Sequence, residues 1–379
     1  MSCQKFSRQY LHMVLSAGRG LYALSHVDVS RLFYPSKEEA KAAHAEDKKN
    51  GSNMLGGIGS AGRLPEPTIH YEPFTAAISY PDRSSGVFAL FGKSNFFCSD
   101  SVGHSSIYNT EPEPQCFLGL PRLDLPKGPK HITICIPRTE AHVRSDYEVT
   151  PIWIWISSLI DATATTCTTS TSWTWTLTAN AASRRSCTTL SDACVGASSH
   201  HQHPLATLTT GLVTMCPAVV DGTKICISSE TATCYFDTVA FEWSKAGDCV
   251  LPFRAKAEYI PEFGLWLGLS AHKPYNLCSV NLSGVTIGSC DTQPPAQYVG
   301  QDVDLPGDCS LKNAALVNMG SGRFCIAKFF DRIHDHDNPQ VVVLTGVELD
   351  PDDHKGEGAF GITKHKSECL ASDSIVCVL

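Results

Sequence analysis

The stretch IHDHDNP at residues 333–339 places two histidines and two aspartates side by side, namely His334, Asp335, His336 and Asp337. Imidazole and carboxylate groups are common ligands of divalent metals, and a metal in this loop could activate water for hydrolysis, with His354 or His365 as a further ligand. Adjacent side chains on an extended loop point in opposite directions, and the sequence shows no further ligand set. A solvated loop between two strands is therefore the favoured alternative to a metal site.

Two other motifs match catalytic signatures only in part. Residues 57–62 fit G-x-G-x-x-G, but a dinucleotide site needs a strand before the glycines and a helix after them. Here a charged helical pattern precedes the glycines, and Pro65 and Pro67 follow them. The sequence GHSSI at 103–107 lacks the second glycine of a nucleophile elbow. We therefore predict no catalytic residue and no cofactor, and we favour a protein that is not an enzyme.

The composition argues against two further classes of function. The chain of 379 residues has a net charge of −8 and a pI near 6.0, which argues against a nucleic-acid-binding surface. No apolar run approaches the roughly 18–20 residues that span a bilayer, so we expect a soluble protein without membrane contact. We expect an intracellular location, cytoplasmic or nuclear. Lys5, Arg8 and Arg19 precede the first acidic residue, Asp28, which leaves an organelle-targeting segment open. The favoured alternative is a β-hairpin of the fold itself, because YLHMVLSAGRGLYALSHVDV at 10–29 consists of two apolar runs around a Gly-bearing turn.

The 17 cysteines are scattered along the chain and include no C-x-x-C pair. Zinc sites usually take two thiolates from one short loop, so this spacing does not predict zinc. We expect most of the thiols to act as small buried apolar groups in a reducing compartment.

One helix is clearly predicted, near residues 36–50. Ser36 is placed to cap it, Glu39 is spaced for a capping box, and Gly51 follows its end. Its apolar content is alanine only, so we expect a charged surface helix that extends into solvent. The helix and the Gly-rich loop after it form an insertion at residues 36–66.

The rest of the chain is typical of short strands joined by turns, which predicts a single all-β domain over residues 9–379. Two segments share one pattern: a strand closes on aromatic-Asp/Asn-Thr, as IYNT at 107–110 and YFDT at 235–238. The Asp/Asn and Thr side chains are suited to bond the backbone of a tight turn. An aromatic residue a little further on, Phe117 or Trp243, is expected to pack between neighbouring sheets. This pattern predicts a blade of a kelch-like β-propeller, at about 50 residues per repeat.

Several segments resemble a large family of uncharacterised plant proteins, abundant in cereals and catalogued only as a domain of unknown function. The segments are LYALSHVDVSRLFYP, YFDTVAFEWSKAGDCVLPFRAKAEYIPEFGLWLGLS, MGSGRFCIAKFF, VVVLTGVEL and ITKHKS. The resemblance covers residues 9–150 and 217–367 and is most specific over 234–270. It implies a kelch or F-box-associated type of propeller, and it implies no established reaction and no catalytic residue.

Residues 152–216 differ from the rest, because threonine and serine dominate and tryptophan alternates with threonine in WTWT at 173–176. Trp has the single codon TGG and Thr is always ACN, so WTWT read two bases later gives alternating aspartate and Leu, Met or Val. The same shift gives blade-like residues elsewhere in the segment. We therefore hypothesise two compensating frameshifts, near residues 150 and 216, and a poorly ordered segment within a propeller that is incomplete or distorted. The alternatives are a half-buried strand and a mucin-like linker.

Three functions remain. The favoured one is a protein-interaction module, because a propeller presents loops to a protein partner and no catalytic constellation is evident. The second is a metal-assisted hydrolase that uses the loop of His334–Asp337. The third is a damaged paralogue without maintained activity. The sequence predicts no nucleic-acid partner and leaves the oligomeric state open.

Overall fold

The computed structural model describes most of the chain outside its longest loops. The described residues are 8–18, 20–49, 62–73, 86–91, 94–100, 103–110, 117–120, 131–136, 152–159, 172–179, 216–228, 232–240, 242–283, 294–298, 309–332, 340–350, 361–372 and 375–379.

Strands dominate these residues, and the one α-helix among them is α1 (Lys37–Lys49). The strands of the first half are β1 (Tyr10–Ser16), β2 (Tyr22–Asp28), β3 (Gly62–Arg63), β4 (Ile69–Tyr71), β5 (Val87–Phe91), β6 (Asn95–Ser99), β7 (Ser105–Asn109), β8 (Phe117–Leu120), β9 (His131–Ile136), β10 (Ile152–Leu159) and β11 (Ser172–Ala179). Those of the second half are β12 (Cys216–Val220), β13 (Lys224–Ser228), β14 (Thr233–Asp237), β15 (Glu242–Gly247), β16 (Glu258–Ile260), β17 (Leu265–Leu269), β18 (Leu277–Val280), β19 (Gln297–Tyr298), β20 (Cys309–Gly320), β21 (Arg323–Arg332), β22 (Gln340–Asp350), β23 (Gly361–Ser372) and β24 (Ile375–Val378).

The strands form a β-propeller arrangement with five full blades, which confirms the predicted fold class. The blades are the sheets β24-β1-β2-β4, β5-β6-β7-β8, β12-β13-β14-β15, β16-β17-β18-β19 and β20-β21-β22-β23-β3. A further sheet, β11-β10-β9, has three strands, and its strand β9 contacts both β5 and β12. This small sheet therefore lies between the β5–β8 and β12–β15 blades.

The core is divided among the interfaces between neighbouring blades. One apolar cluster, with Leu11 and Val342, joins the β1–β2 blade to the β20–β23 blade. Another, with Leu24 and Phe96, joins the β1–β2 blade to the β5–β8 blade. The C-terminal strand β24 pairs with β1 near the N-terminus, so the two ends of the chain share one blade. This pairing closes the ring of blades, because hydrogen bonds between β24 and β1 hold the two ends of the chain together.

The hairpin between β1 and β2 was predicted from its two apolar runs and is confirmed. Tyr10 pairs with Asp28 and Ser16 with Tyr22, and Gly18 occupies the turn with a φ of 79°. A side chain at that φ would be strained, which is why the turn requires glycine there.

The shared turn pattern is also confirmed, and the structure shows how it works. The hydroxyl of Thr110 donates to the carbonyl of Ser94 at 2.9 Å, and the hydroxyl of Thr238 donates to the carbonyl of Thr223. In both blades the backbone amide of the same threonine bonds the same carbonyl. Each threonine thus ties the end of its blade's third strand to the turn between the first two strands.

The expected packing of the aromatic residue after the turn is wrong for Phe117. Its side chain is 61% exposed, because β8 is the outermost strand of its sheet and no described strand covers it. The side chain of Trp243 lies outside the described residues.

Removing the turn hydroxyl should have a measurable cost. Thr238 is fully buried, and we expect Thr238→Val to lower the free energy of unfolding by about 1 kcal/mol, because valine keeps the shape and loses the hydrogen bond. Urea unfolding followed by circular dichroism would measure this. Thr363→Val is the control, since the Thr363 hydroxyl is buried and has no hydrogen-bond partner among the described residues. An equal loss in both variants would contradict the assigned role of the hydrogen bond.

The insertion at residues 36–66 contains the predicted surface helix. The predicted cap at Ser36 is confirmed, since the Glu39 amide donates to the Ser36 hydroxyl at 3.2 Å, while the return bond of a capping box from the Glu39 side chain stays a prediction. The helix does not extend freely into solvent, however. It packs against β23, with Ala40 fully buried. Strand β3 then pairs in parallel with β23. The insertion therefore connects the β1–β2 blade to the neighbouring β20–β23 blade.

The Thr/Ser-rich segment contributes backbone strands to the small sheet. Trp155 of β10 pairs with Thr176 of β11, and Ile154 pairs with Ile134 of β9. The stretch WTWTLT thus lies in a strand, as one of the alternatives expected. The side chains of β10 and β11 and the residues between these two strands lie outside the described part of the chain. The frameshift hypothesis concerns the gene and stays a prediction.

Candidate functional site

The residues that the sequence analysis singled out as possible metal ligands, His334, Asp335, His336 and Asp337, lie outside the described residues, as does His354. His365 is described and is fully buried. Its Nδ1 accepts from the Tyr34 amide at 3.1 Å, and its Nε2 lies 3.1 Å from Glu348 Oε2. Both ring nitrogens are therefore engaged, which leaves neither for a metal. Within the described ranges, no group of three or more His, Cys, Asp or Glu side chains could hold a metal ion.

The described residues of the two weak catalytic motifs, at 57–62 and 103–107, do not support a catalytic role. Gly62, the last glycine of G-x-G-x-x-G, begins strand β3 rather than a helix. In GHSSI, the Ser105 hydroxyl donates to the Gly103 carbonyl and to the Ser99 hydroxyl, each at 3.0 Å. Asp100, which is fully buried, lies 3.1 Å from His104 Nδ1 and also accepts from the His104 amide at 2.9 Å. Asp100 therefore shapes the turn between β6 and β7, and these bonds do not connect His104 to Ser105.

A buried charged cluster lies where the insertion meets the β20–β23 blade. Glu348 Oε2 accepts from Arg323 Nε at 3.0 Å and faces His365 Nε2, and Lys37 Nζ lies 3.8 Å from Glu348 Oε1. Burial raises the pKa of Glu348, but the hydrogen bond from His365 and the charges of Arg323 and Lys37 outweigh it, so the pKa lies below its usual value. The Glu348 carboxylate is therefore held ionised.

Among the described residues the bonds of this cluster join protein groups to one another, and the ion pairs of Lys37 and Lys41 attach the insertion to the β20–β23 blade. Lys41 Nζ on α1 lies 3.0 Å from Asp350 Oδ2, and Arg31 pairs with Glu368 at 2.6 Å. Sequence reasoning missed the cluster, because its members come from four separate segments and carry no local motif.

The described cysteines are mostly inert thiols, as expected. Burial raises the pKa of the Cys226, Cys278 and Cys325 thiols to about 12, so these groups stay protonated near neutral pH. Cys249 differs, because it is disulfide-bonded. Burial likewise raises the pKa of the Cys98, Cys216, Cys234 and Cys377 thiols, whereas a nucleophilic thiol has a lowered pKa.

The candidate interaction site is the edge strand β8, whose sequence is FLGL. Phe117 is 61% exposed and Leu118 is 37% exposed, and both are large apolar side chains. Consecutive residues of a strand point to opposite faces of a sheet, so both faces of this edge carry exposed apolar surface. No described strand pairs with the outer side of β8, and an edge strand of this kind presents backbone groups beside apolar contacts.

The blade behind β8 explains why these two residues are apolar. Phe96 pairs with Tyr108, and Tyr108 pairs with Phe117, so one aromatic row crosses the sheet from the core to the edge. Phe97, Ile107 and Leu118 form a second apolar row on the opposite face. Phe96 and Phe97 are fully buried, so each row begins in the core and ends at an exposed residue.

The edges of three other blades differ from β8. The β23 edge is covered by β3, and the β15 edge carries the exposed charged side chain of Lys245. On β19, Tyr298 is exposed beside the polar Gln297. Charged, short or covered edges are the usual protection against pairing with another chain. Of these outer strands, β8 is therefore the one best suited to pair with an added strand.

Comparisons with known proteins give a family and no activity. A family model described as "Protein of unknown function (DUF1668)" matches residues 8–370. No curated protein matches the chain. No helix among the described residues is long and apolar enough to cross a membrane.

Proposed function

We propose that this chain, which belongs to the DUF1668 family of proteins of unknown function, is a protein-interaction module that binds an extended apolar segment of a protein partner along β8. The observation that carries the proposal is the pair of apolar rows that end, on opposite faces of one blade, at the exposed side chains of Phe117 and Leu118. An added strand would extend the sheet and both rows at once.

The chemistry of the edge defines the segment that would fit. Backbone groups of the added strand would pair with those of β8, which gives affinity without sequence preference. Side chains opposite Phe117 and Leu118 would lie about 4.5–5.5 Å from them, so apolar residues are favoured there. Because β8 carries no charge, a charged residue at those positions would be desolvated without a partner. The preferred segment is thus a strand former with adjacent apolar residues.

A peptide selection would test this proposal. Folded protein is used to select binders from a phage-displayed library of random twelve-residue peptides, and the affinity of the enriched peptides is measured by fluorescence anisotropy. We expect enriched peptides rich in β-branched and aromatic residues. Phe117→Lys and Leu118→Lys should each weaken their binding at least about tenfold, since a lysine on the edge opposes strand addition.

The matched control is Val239→Lys. Val239 is 38% exposed, close to the 37% of Leu118, and lies after the last residue of β14 in a different blade. This variant should bind the selected peptides like the unmodified protein. Selected peptides that bind all three variants equally would show that β8 is not the binding edge.

Five statements made from the sequence stay predictions. They are a plant origin, the kelch or F-box-associated relationship, an intracellular compartment, the metal-assisted hydrolase and the damaged paralogue. Support for the interaction module comes from the propeller fold and from the apolar edge.

A further inference from the structure

Two histidines in the ring-closing blade face each other and take no part in the features described so far. His12 of β1 pairs directly with His26 of β2, so both side chains lie on the same face of the sheet. Their Nδ1 atoms are 3.0 Å apart, and their ring centroids are 4.7 Å apart with the planes at 84°. His12 is almost fully buried, whereas His26 is partly exposed.

These two distances fit two imidazoles that bind one common metal ion. For a metal ion about 2.05 Å from each of two nitrogens that are 3.0 Å apart, the N–metal–N angle would be about 94°. With each ring centroid about 1.15 Å behind its nitrogen, the centroids would then lie about 4.7 Å apart. The observed centroid distance is 4.7 Å. A straight hydrogen bond between the same nitrogens would place the centroids about 5.3 Å apart, whereas a bent one also allows 4.7 Å, so the metal titration below separates the two arrangements.

We propose that His12 and His26 form a two-histidine binding site for a divalent transition-metal ion of the Cu²⁺, Ni²⁺ or Zn²⁺ class. Imidazole nitrogen is a preferred ligand of these ions, whereas Mg²⁺ and Ca²⁺ favour oxygen. An angle near 90° between ligands suits the tetragonal geometry of Cu²⁺ and Ni²⁺ better than tetrahedral Zn²⁺. Water fills the remaining coordination positions, since the protein supplies two ligands.

One acidic and one aromatic residue share the face of the sheet that carries the histidine pair. Asp28 lies two residues after His26 and opposite Tyr10, and its Oδ1 accepts from the Ser30 amide at 2.9 Å, so it is not a third ligand. Tyr10 is 40% exposed and its ring centroid lies 6.0 Å from that of His26, which is itself partly exposed, so the His26 side of the pair borders solvent.

The hairpin makes the site rigid, which gives the test its specificity. The two rings meet only when β1 and β2 are paired, so an ion held by both binds the folded state and stabilises it. Histidines elsewhere that bind equally well in the unfolded chain give no stabilisation. The chain has 15 histidines, so stabilisation by metal is a cleaner measure than the amount bound.

The experiment is urea unfolding of untagged full-length protein with and without Ni²⁺ or Cu²⁺ in a non-chelating buffer near pH 7.5. We expect the metal to raise the unfolding midpoint of the unmodified protein. His26→Asn should remove that rise, and its metal affinity measured by titration calorimetry should fall at least about tenfold. His70→Asn is the matched control, because His70 is an exposed histidine on β4 of the same blade, and it should keep the full response.

A second measurement covers the case in which a variant folds poorly. The electron paramagnetic resonance spectrum of the unmodified protein with one equivalent of Cu²⁺ should show hyperfine coupling to two nitrogens. The proposal is overturned if metal leaves the midpoint unchanged, if His26→Asn responds like His70→Asn, or if the Cu²⁺ spectrum lacks two coupled nitrogens. In that event the pair is a hydrogen bond between two rings and nothing more.

Discussion

Glu348→Ala is expected to lower the free energy of unfolding by about 3–5 kcal/mol, the range typical of breaking a buried ion pair by removing one partner. The carboxylate is 4% exposed and is the acceptor that Arg323 and His365 share. Alanine removes it and leaves the Arg323 guanidinium buried without that negative charge. It also removes the ion pair to Lys37, the first residue of α1.

The midpoint and slope of urea unfolding would measure this loss, and amide hydrogen exchange over residues 29–49 would show whether the insertion is released. Lys245→Ala is the control, because Lys245 pairs with Asp248 on the surface and both side chains are mostly exposed. That variant should unfold like the original. A loss below about 1 kcal/mol for Glu348→Ala would mean that the cluster does not hold the insertion in place.

The same carboxylate predicts a pH dependence. The folded-state pKa of Glu348 lies below its usual value, so the unfolded state binds the proton more readily. The ionised group therefore contributes its full stability above the unfolded-state pKa of about 4.3, and that contribution is lost as the pH falls through the folded-state pKa. Glu348→Gln, which keeps the shape without the charge, should differ most from the original protein near pH 6. The difference should shrink toward pH 3, and a constant difference would contradict it.

The parts of the fold that could be predicted are those that a short segment of the sequence specifies by itself. The hairpin of residues 10–28 follows from two apolar runs around Gly18, and the Thr110 and Thr238 turns follow from a local pattern repeated in two blades. The cap at Ser36 is equally local. Each of these involves residues close in the chain, so a pattern in the sequence is enough to specify them.

The parts that could not be predicted depend on which blades meet. The insertion was expected in solvent, because its own residues are charged, and nothing in it indicates that Glu348 and Asp350 lie opposite. Phe117 was expected in the core, because its aromatic type does not reveal that β8 is the last strand of its sheet. The pairing of His12 with His26, by contrast, could have been predicted from the hairpin, because the residue numbers of each pair in it add up to 38.

Gly346→Ala should be the second strongly destabilising change, at the upper end of the roughly 1–3 kcal/mol typical of overpacking. Gly346 lies at a bulge, where the pairing of β22 with β23 shifts between Thr345 and Val347. The carbonyl oxygen of Leu32, from the turn that precedes the insertion, approaches so closely that an added Cβ would overlap it, and Phe33 Cζ would lie 3.2 Å away. A backbone carbonyl cannot move aside as a flexible side chain can. The alanine would therefore push residues 29–33 off the β20–β23 blade.

Gly119→Ala is the matched control, because it is also a glycine within a strand and an added Cβ there meets nothing within 4 Å. Both changes restrict the unfolded chain to a similar extent, so the difference between them isolates the clash. Urea unfolding should show Gly119→Ala within about 0.5 kcal/mol of the original protein. Amide exchange over residues 29–49 should increase in Gly346→Ala alone. If the two variants are equally stable, the close approach of Leu32 to β22 is not what seats the insertion on its neighbouring blade.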